Sequence, residues 1–275
     1  MKSLIIQFIS KDQKGIIAQV TSILHKKDVN ILSIEQHVDK KLKKFYMRIL
    51  ADLSSTKANQ TILEEKLNSI NKTLKGKFFF YNPNHKINVA ILGTNESEPI
   101  YDLLIKNNSN ELNCNIPIII SNHNKLKYIA TQFNINYSKI DNNNTLLKIL
   151  QKEKIDLIVL ARYMQVIPRN IVNKYPNKII NIHHGFLPAF KGANPYQQAA
   201  DKGVKIIGAT AHYVTEDLDE GPIINQDVIS INHMNSVSDM KQLGREVERR
   251  VLYKAVKAHI EHKVITFNNK TIVFK

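Results

Sequence analysis

Residues 87 to 182 repeat one unit. A short run of solid Val, Ile and Leu is followed by a polar break, a short amphipathic stretch, and then the next apolar run. The apolar runs are 87–92, 116–120, 155–160 and 179–182; the stretches 99–106, 125–133, 146–152 and 168–175 read as the helices around them. A strand with one wet face alternates apolar and polar residues, whereas a strand apolar at nearly every position is buried on both faces. This half of the chain therefore predicts an α/β fold, a mostly parallel doubly wound sheet with helices on both sides. Ligands of such sheets sit beyond the carboxyl ends of the strands, near the point where strand order reverses.

The first 82 residues follow a different pattern. A strand over 3–9 leads to Asp12 and Gly15 and then to Ile16, Ile17, Val20, Ile23 and Leu24 at helical spacing, with Asp12 expected as the helix cap. Strands follow over 30–38 and 44–53, parted by the Asp39-Lys40-Lys41 turn. Thr56 is expected to cap a helix carrying Ile62, Leu63, Leu67 and Ile70, and 77–81 reads as a closing strand. The order βαββαβ is the ferredoxin-like split βαβ arrangement. Asn82-Pro83-Asn84-His85 breaks the pattern, so the expected organisation is a domain over 1–82, a linker over 83–86 and a second domain over 87–275. Gly15 frees the chain to turn into a helix N-terminus. Its unpaired amides either bind a carboxylate or belong to a plain capped helix.

Composition removes several function classes. A length of 275 residues and 43% hydrophobic content suit two soluble domains. The net charge of +15 comes from scattered lysines with no dense basic run among aromatics, which argues against nucleic acid as a partner. It fits a surface that attracts a small polyanion. No apolar run is long enough for a membrane, and Gln7, Lys11, Asp12 and Lys14 spoil a signal peptide, so a cytoplasmic location is expected. A single cysteine permits no internal disulfide, and Cys114 reads as a bystander in a polar loop. The first strand of the second half ends in Gly93-Thr94-Asn95-Glu96-Ser97, without the spacing of a dinucleotide or phosphate loop.

The stretch 181–222 carries most of the chemistry. Asn181 and His183 end a strand two residues apart and so share a face, with His184 on the other. Leu187-Pro188 breaks regular structure, Asn194 is expected to cap a helix opened by Pro195, and Gly203 ends it. A strand over 204–214, with Gly208 at a bulge or close approach, enters an acidic loop over 215–221, and a further strand runs over 223–231. Ser236 or Ser238 opens a last long helix to about residue 262, and Asn268-Asn269-Lys270 turns a closing hairpin. Asn181 offers an amide donor and His183 a group that donates or transfers a proton near neutral pH. Asp219, with Glu216, Asp217 and Glu220 nearby, is expected to have a raised pKa suited to a general base. Two donors and a carboxylate support acyl transfer without a Ser or Cys nucleophile. His123, His183, His184 and His212 lack metal-ligand spacing, so no metal is expected.

The ordered pattern Asn-Ile-His at 181–183, LPAFKGANP at 187–195 and HYVTEDLDEGP at 212–222 resembles the folate-dependent formyltransferase family. Residues 3–82 resemble an ACT domain, through Asp12, Gly15, the helix after them and Asn30-Ile31. The resemblance implies a formyltransferase-type catalytic domain behind an ACT-like regulatory one, and hydrolysis of 10-formyltetrahydrofolate to tetrahydrofolate and formate. Asn181, His183 and Asp219 would be catalytic, with Asp219 activating water and Asn181 and His183 holding the oxyanion. Thr210, His212 and Gly192 would line the site. The segment LARYMQVI, with Met164, Gln165, Val166 and Ile167, would hold the pterin largely by backbone groups. No cofactor beyond the folate substrate is implied. Asp12, Gly15 and Asn30 would receive an amino-acid effector, and a homo-oligomer is expected. Many members carry Arg where Gln165 stands and Ser where Gly185 stands. Formyl transfer to an amine acceptor, and a non-catalytic amino-acid or folate sensor, are the alternatives.

Overall fold

The computed structural model describes residues 2–55, 59–141, 145–190, 192 and 194–275. The chain divides between His85 and Lys86 into two compact units. The closing segment, which the sequence places wholly with 87–275, is split: Glu261–Ile265 and Ile272–Lys275 belong to the first unit and Thr266–Thr271 to the second.

The first unit runs β1 (Ser3–Lys11), α1 (Ile16–His25), β2 (Asn30–Asp39), β3 (Lys44–Asp52), α2 (Gln60–Ser69), α3 (Asn71–Leu74) and β4 (Gly76–Tyr81). Its antiparallel sheet has the order β2-β3-β1-β4, the expected ferredoxin-like arrangement. Leu4, Ile6 and Phe8 of β1 pack with Met47 and Ile49 of β3, Val20 and Leu24 of α1, and Leu63 and Leu67 of α2. Gln7 lies between these positions, on the other face, paired in register with Arg48. Both are buried and both are satisfied: Gln7 Nε2 donates to the His262 carbonyl at 2.8 Å, and Arg48 donates to the carbonyls of His262 and Glu261, each at 3.0 Å. Two expected caps differ. Gly15, at φ 84, precedes α1 with no side-chain cap, and Asp12 stays exposed. Asn59 caps α2, accepting from the Ile62 N–H at 2.9 Å; Thr56 lies outside the described residues.

The second unit runs β5 (Ile87–Leu92), α4 (Glu98–Asn108), β6 (Cys114–Ser121), α5 (Lys127–Gln132), β7 (Asn136–Lys139), α6 (Leu146–Lys152), β8 (Leu157–Leu160), α7 (Arg169–Lys174), β9 (Ile179–His183), α8 (Pro195–Asp201), β10 (Ile206–Tyr213), β11 (Ile223–Ser230) and α9 (Val237–Ile260). After it come β12 (Val264–Phe267) and β13 (Lys270–Val273). The sheet has the order β11-β10-β9-β8-β5-β6-β7. β9 to β7 are parallel, and β10 and β11 close one edge antiparallel. Order reverses at β5, whose neighbours are β6 and β8, so the carboxyl ends of β5 and β8 flank the switch point.

Local sequence explains the smaller departures. β7 reads Asn-Tyr-Ser-Lys and has no apolar pattern to announce a strand. Cys114 opens β6 rather than sitting in a loop, and burial pushes its thiol up to about 12. Asn194 precedes α8 in the left-handed region, at φ 54, and gives no side-chain cap. Gly208 marks a close approach, since a Cβ there would lie 2.5 Å from the Asp227 carbonyl; the bulge is at Ala211/His212. Ser236 and Asp239 form the box that opens α9, with Asp239 N–H donating to Ser236 Oγ at 3.2 Å and Ser236 N–H to Asp239 Oδ2 at 2.8 Å. Among the described residues no helix is long and apolar enough to cross a membrane.

Candidate active site

β9 and β10 set the site by their register. Asn181 pairs with His212 and His183 with Thr210, so the strand period puts all four on one face. His212 Nδ1 lies 3.0 Å from the Tyr213 carbonyl, and its Nε2 lies between Asn181 Nδ2, at 3.2 Å, and the Asp219 carboxylate. The contact with Nε2 engages at most one of the two Asn181 amide hydrogens, and the other remains.

Asp219 comes to this face from the loop between β10 and β11. The loop doubles back tightly: Tyr213 N–H donates to the Pro222 carbonyl at 2.9 Å, and a Cβ on Gly221 would sit 1.7 Å from the Tyr213 oxygen. Only glycine fits there, which is the local reason for the Asp-Glu-Gly-Pro sequence. Asp219 itself sits at φ 58. Its carboxylate is almost buried, with Oδ2 3.3 Å from His183 Nδ1 and Oδ1 3.6 Å from His212 Nε2. The other ring nitrogen of His183 donates to the Phe190 carbonyl at 3.2 Å. With that proton on Nε2, Nδ1 and the Asp219 carboxylate are placed to share a single further proton.

The charges differ from the expectation on one point. Asp219 is held below the usual carboxylate value, not raised. The His212 imidazole beside it contributes most, burial opposes, and His183 and the Gly192 N–H add to the lowering. These contacts outweigh the acidic neighbours: Glu216 pairs instead with Arg169. Burial lowers the His183 pKa, against the pull of Asp219 and the Phe190 carbonyl. His184 is pushed further, to about 3, by burial with Arg162 and His183 adding.

A cavity of about 250 Å³ opens on these groups. Met164, Gln165, Val166, Gly192 and Leu218 line it with Asn181, His183 and Asp219, and a smaller adjoining cavity reaches Ile167 and His212. Met164, Val166 and Leu218 are 62%, 73% and 68% exposed, an apolar rim suited to a flat ring. Thr210 is the exception among the expected lining residues. It is fully buried, and its hydroxyl donates to the Gly185 carbonyl at 2.9 Å while accepting from Leu187 N–H at 3.0 Å and Gln226 Nε2 at 2.9 Å. One donor and two lone pairs are all spent on the loop, so none remains for a substrate. Gly185 matters for space: a Cβ there would lie 2.9 Å from His183 Nε2.

In the first unit, Asp12 and Gly15 flank the start of α1. Asn30 is not with them. Lys11 pairs with Lys44 and Asn30 with Asp52, so they lie at opposite ends of β3, roughly 26 Å apart at the usual rise per residue.

Sequence reasoning named Arg162 only as part of the LARYMQVI segment and missed Tyr196 and Glu248 as site residues. Tyr196 Oη donates to Glu248 Oε1 at 2.6 Å, and Arg162 Nε lies 3.7 Å from Glu248 Oε2. Burial pushes the Glu248 carboxyl up. Gly244, one helical turn before Glu248, makes room for Tyr196, whose Oη would meet a Cβ at 2.0 Å. A charged residue inside an apolar helix face and a glycine four residues before it were the available signals. The three line a second, polar cavity of about 420 Å³ with His184, Lys241 and Arg245. Among the described residues no group of three or more His, Cys, Asp or Glu is arranged to hold a metal ion.

Known proteins match both units. The formyl transferase family model matches residues 87–256 and the ACT domain model residues 4–68. A formyltetrahydrofolate deformylase of Synechocystis is 40% identical over 271 residues, covering 96% of this chain and 95% of the relative. One from Escherichia coli is 38% identical over 277 residues, covering 98% and 97%. The crystal structure of a formyltetrahydrofolate deformylase from Pseudomonas syringae superposes with a TM-score of 0.96 at 35% identity, covering 100% of this chain and 95% of that one.

Proposed function

The chain belongs to the formyltetrahydrofolate deformylase family of hydrolases, and from that premise we propose that it hydrolyses 10-formyltetrahydrofolate to tetrahydrofolate and formate at Asn181, His183 and Asp219. The observation that carries this reading is the Asp219 carboxylate 3.3 Å from His183 Nδ1 at the wall of a cavity whose described lining holds no Ser or Cys. With no Ser or Cys in that described lining to form an acyl intermediate, water is the attacking group in this reading.

The steps follow from the donors present. Asp219 is ionised at neutral pH and accepts a hydrogen bond from a water molecule. A carboxylate of lowered pKa is a weak base alone, so it works with His183: the water proton enters the Nδ1–Oδ2 pair as oxygen bonds to the formyl carbon. The remaining Asn181 N–H donates to the developing oxyanion, and His183 reaches the same oxygen by turning its Nε2–H from the Phe190 carbonyl. The C–N10 bond then breaks and N10 takes that proton; the hydroxyl proton of the nascent formic acid passes to the vacated Nδ1–Oδ2 pair and on to solvent, and formate and tetrahydrofolate leave. The Met164, Val166 and Leu218 rim holds the folate ring. The substrate is the only organic group this scheme requires. The ACT-type unit, within a homo-oligomer, takes a small amino-acid effector by the free amides at the start of α1.

Purified protein is to be incubated with 10-formyltetrahydrofolate and no amine acceptor. Steady formate release is expected. Turnover that begins only when an amine such as glycinamide ribonucleotide is supplied would make the protein a transferase.

A further inference from the structure

Hydrolysis as proposed above leaves a formate anion beside Asp219, and two carboxylates at that range repel one another. We propose that Arg162 receives this formate and that the polar cavity beyond it is the route by which formate leaves. The idea rests on the hydrolytic reading and adds a product site to it.

Arg162 is the only Arg or Lys among the described residues lining the cavity that holds Asn181, His183 and Asp219. It also lines the polar cavity, so its side chain stands where the two meet. Its backbone, at φ 59, is separated from the end of β8 by one residue, and its carbonyl accepts from the Thr94 N–H at 3.3 Å, which fixes the stem of the side chain. The guanidinium is poorly matched by protein groups. The carboxylate paired with it, Glu248, stands off Nε at 3.7 Å, and Nη1 is buried with no hydrogen-bond partner among the described residues. Glu248 cannot swing to close that gap, because Tyr196 Oη holds its other oxygen at 2.6 Å in the slot left by Gly244. A guanidinium with an unmatched N–H edge binds a small carboxylate in parallel, two hydrogen bonds at once. Lys241 and Arg245 also line the polar cavity, Arg245 balanced by Glu98 at 3.3 Å and Glu96 at 3.9 Å, which leaves Lys241 as the further positive group.

The test is titration of the full-length protein with sodium [¹³C]formate, followed by NMR line broadening at constant ionic strength, beside product inhibition by formate in the hydrolysis assay. Wild type is expected to bind saturably. Arg162→Gln is expected to weaken binding at least tenfold, and Glu248→Gln, which removes the competing carboxylate, to tighten it several-fold. Arg250→Gln, a surface residue paired with Asp227, is expected to leave it unchanged. The opposite signs separate product binding from a scaffold role, in which both inner variants would weaken binding. If Arg162→Gln does not fold, Glu248→Gln decides alone: tighter binding supports the proposal, and unchanged or weaker binding overturns it. Formate binding of wild-type strength in folded Arg162→Gln also overturns it. Saturable, Arg162-dependent binding by a protein that fails to hydrolyse the folate would remove the hydrolytic reading and leave the anion site standing.

Discussion

His183 and His184 are consecutive in the chain and both are shielded, yet they face different surroundings. The His183 ring ends β9 with Asp219 at one nitrogen and the Phe190 carbonyl at the other. The His184 ring lies past the strand end, 5.9 Å from the Tyr196 ring, and lines the polar cavity of Arg162 and Glu248 as well as the edge of the catalytic one. Burial lowers both pKa values. Both feel Asp219 and Arg162, and what separates them is the order: after burial, the Asp219 carboxylate is the larger influence on His183 and opposes the loss of charge, whereas the Arg162 guanidinium is the larger on His184 and deepens it. Burial alone makes an inert imidazole, and a directed carboxylate makes one that can take up a proton.

The comparison breaks or sharpens in four ways. His183→Asn is expected to lower kcat by about 10²–10⁴-fold, the usual worth of a positioned acid–base group. His184→Asn is expected to cost less than tenfold, and equal losses would end the distinction. The next effect is on pH. His184 and, in the first unit, His262 are held at about 3 and about 4 by burial. Below about pH 6.5 the unfolded chain binds protons at these positions that the native state refuses, so stability is greatest above that value and falls through the window towards 4 and 3. Denaturant unfolding between pH 7 and 4 reads this, and His184→Asn flattens part of the slope; a flat profile in the wild type would refute the buried neutral state.

Thr210→Val tests the loop that carries Phe190 to His183. Stranding the Gly185 carbonyl and the Leu187 N–H is expected to cost about 1–3 kcal/mol, seen in the melting temperature. KM stays near the wild-type value, because the hydroxyl touches the loop and not the substrate; a large rise in KM would restore Thr210 to the binding surface. Gly244→Ala acts on the polar side. An alanine in a helix interior normally stabilises by about 1 kcal/mol, but here it strikes Tyr196 and is expected to destabilise by about 1–3 kcal/mol. A stabilised variant would show that Tyr196 is not packed against α9.

Much of this arrangement was written in local pattern. Solid apolar runs announced the parallel strands, and period two put Asn181 and His183 on one face. Asp219, a left-handed residue just before Gly221-Pro222, is reached only by recognising a long motif. The rest depends on contacts far apart in sequence. The lowered pKa of Asp219 comes from His212 and His183, which no count of acidic neighbours reveals. Thr210 looked like a lining residue because its strand is in the site, but its hydroxyl is spent on Gly185, Leu187 and Gln226. Arg162 and Glu248 are 86 positions apart and gain meaning only when β8 and α9 meet. Asp12 and Asn30 show the converse: a plausible shared site in sequence is parted by the length of β3.

The central claim is that Asp219, working with His183, drives attack by water. It is tested most directly by formate release from 10-formyltetrahydrofolate at saturating substrate, without an amine acceptor, in wild type and Asp219→Asn. Steady release by wild type and a loss of about 10²–10⁴-fold in the variant, with folate affinity within a few-fold, is the predicted result. Near-normal turnover by Asp219→Asn would contradict the account.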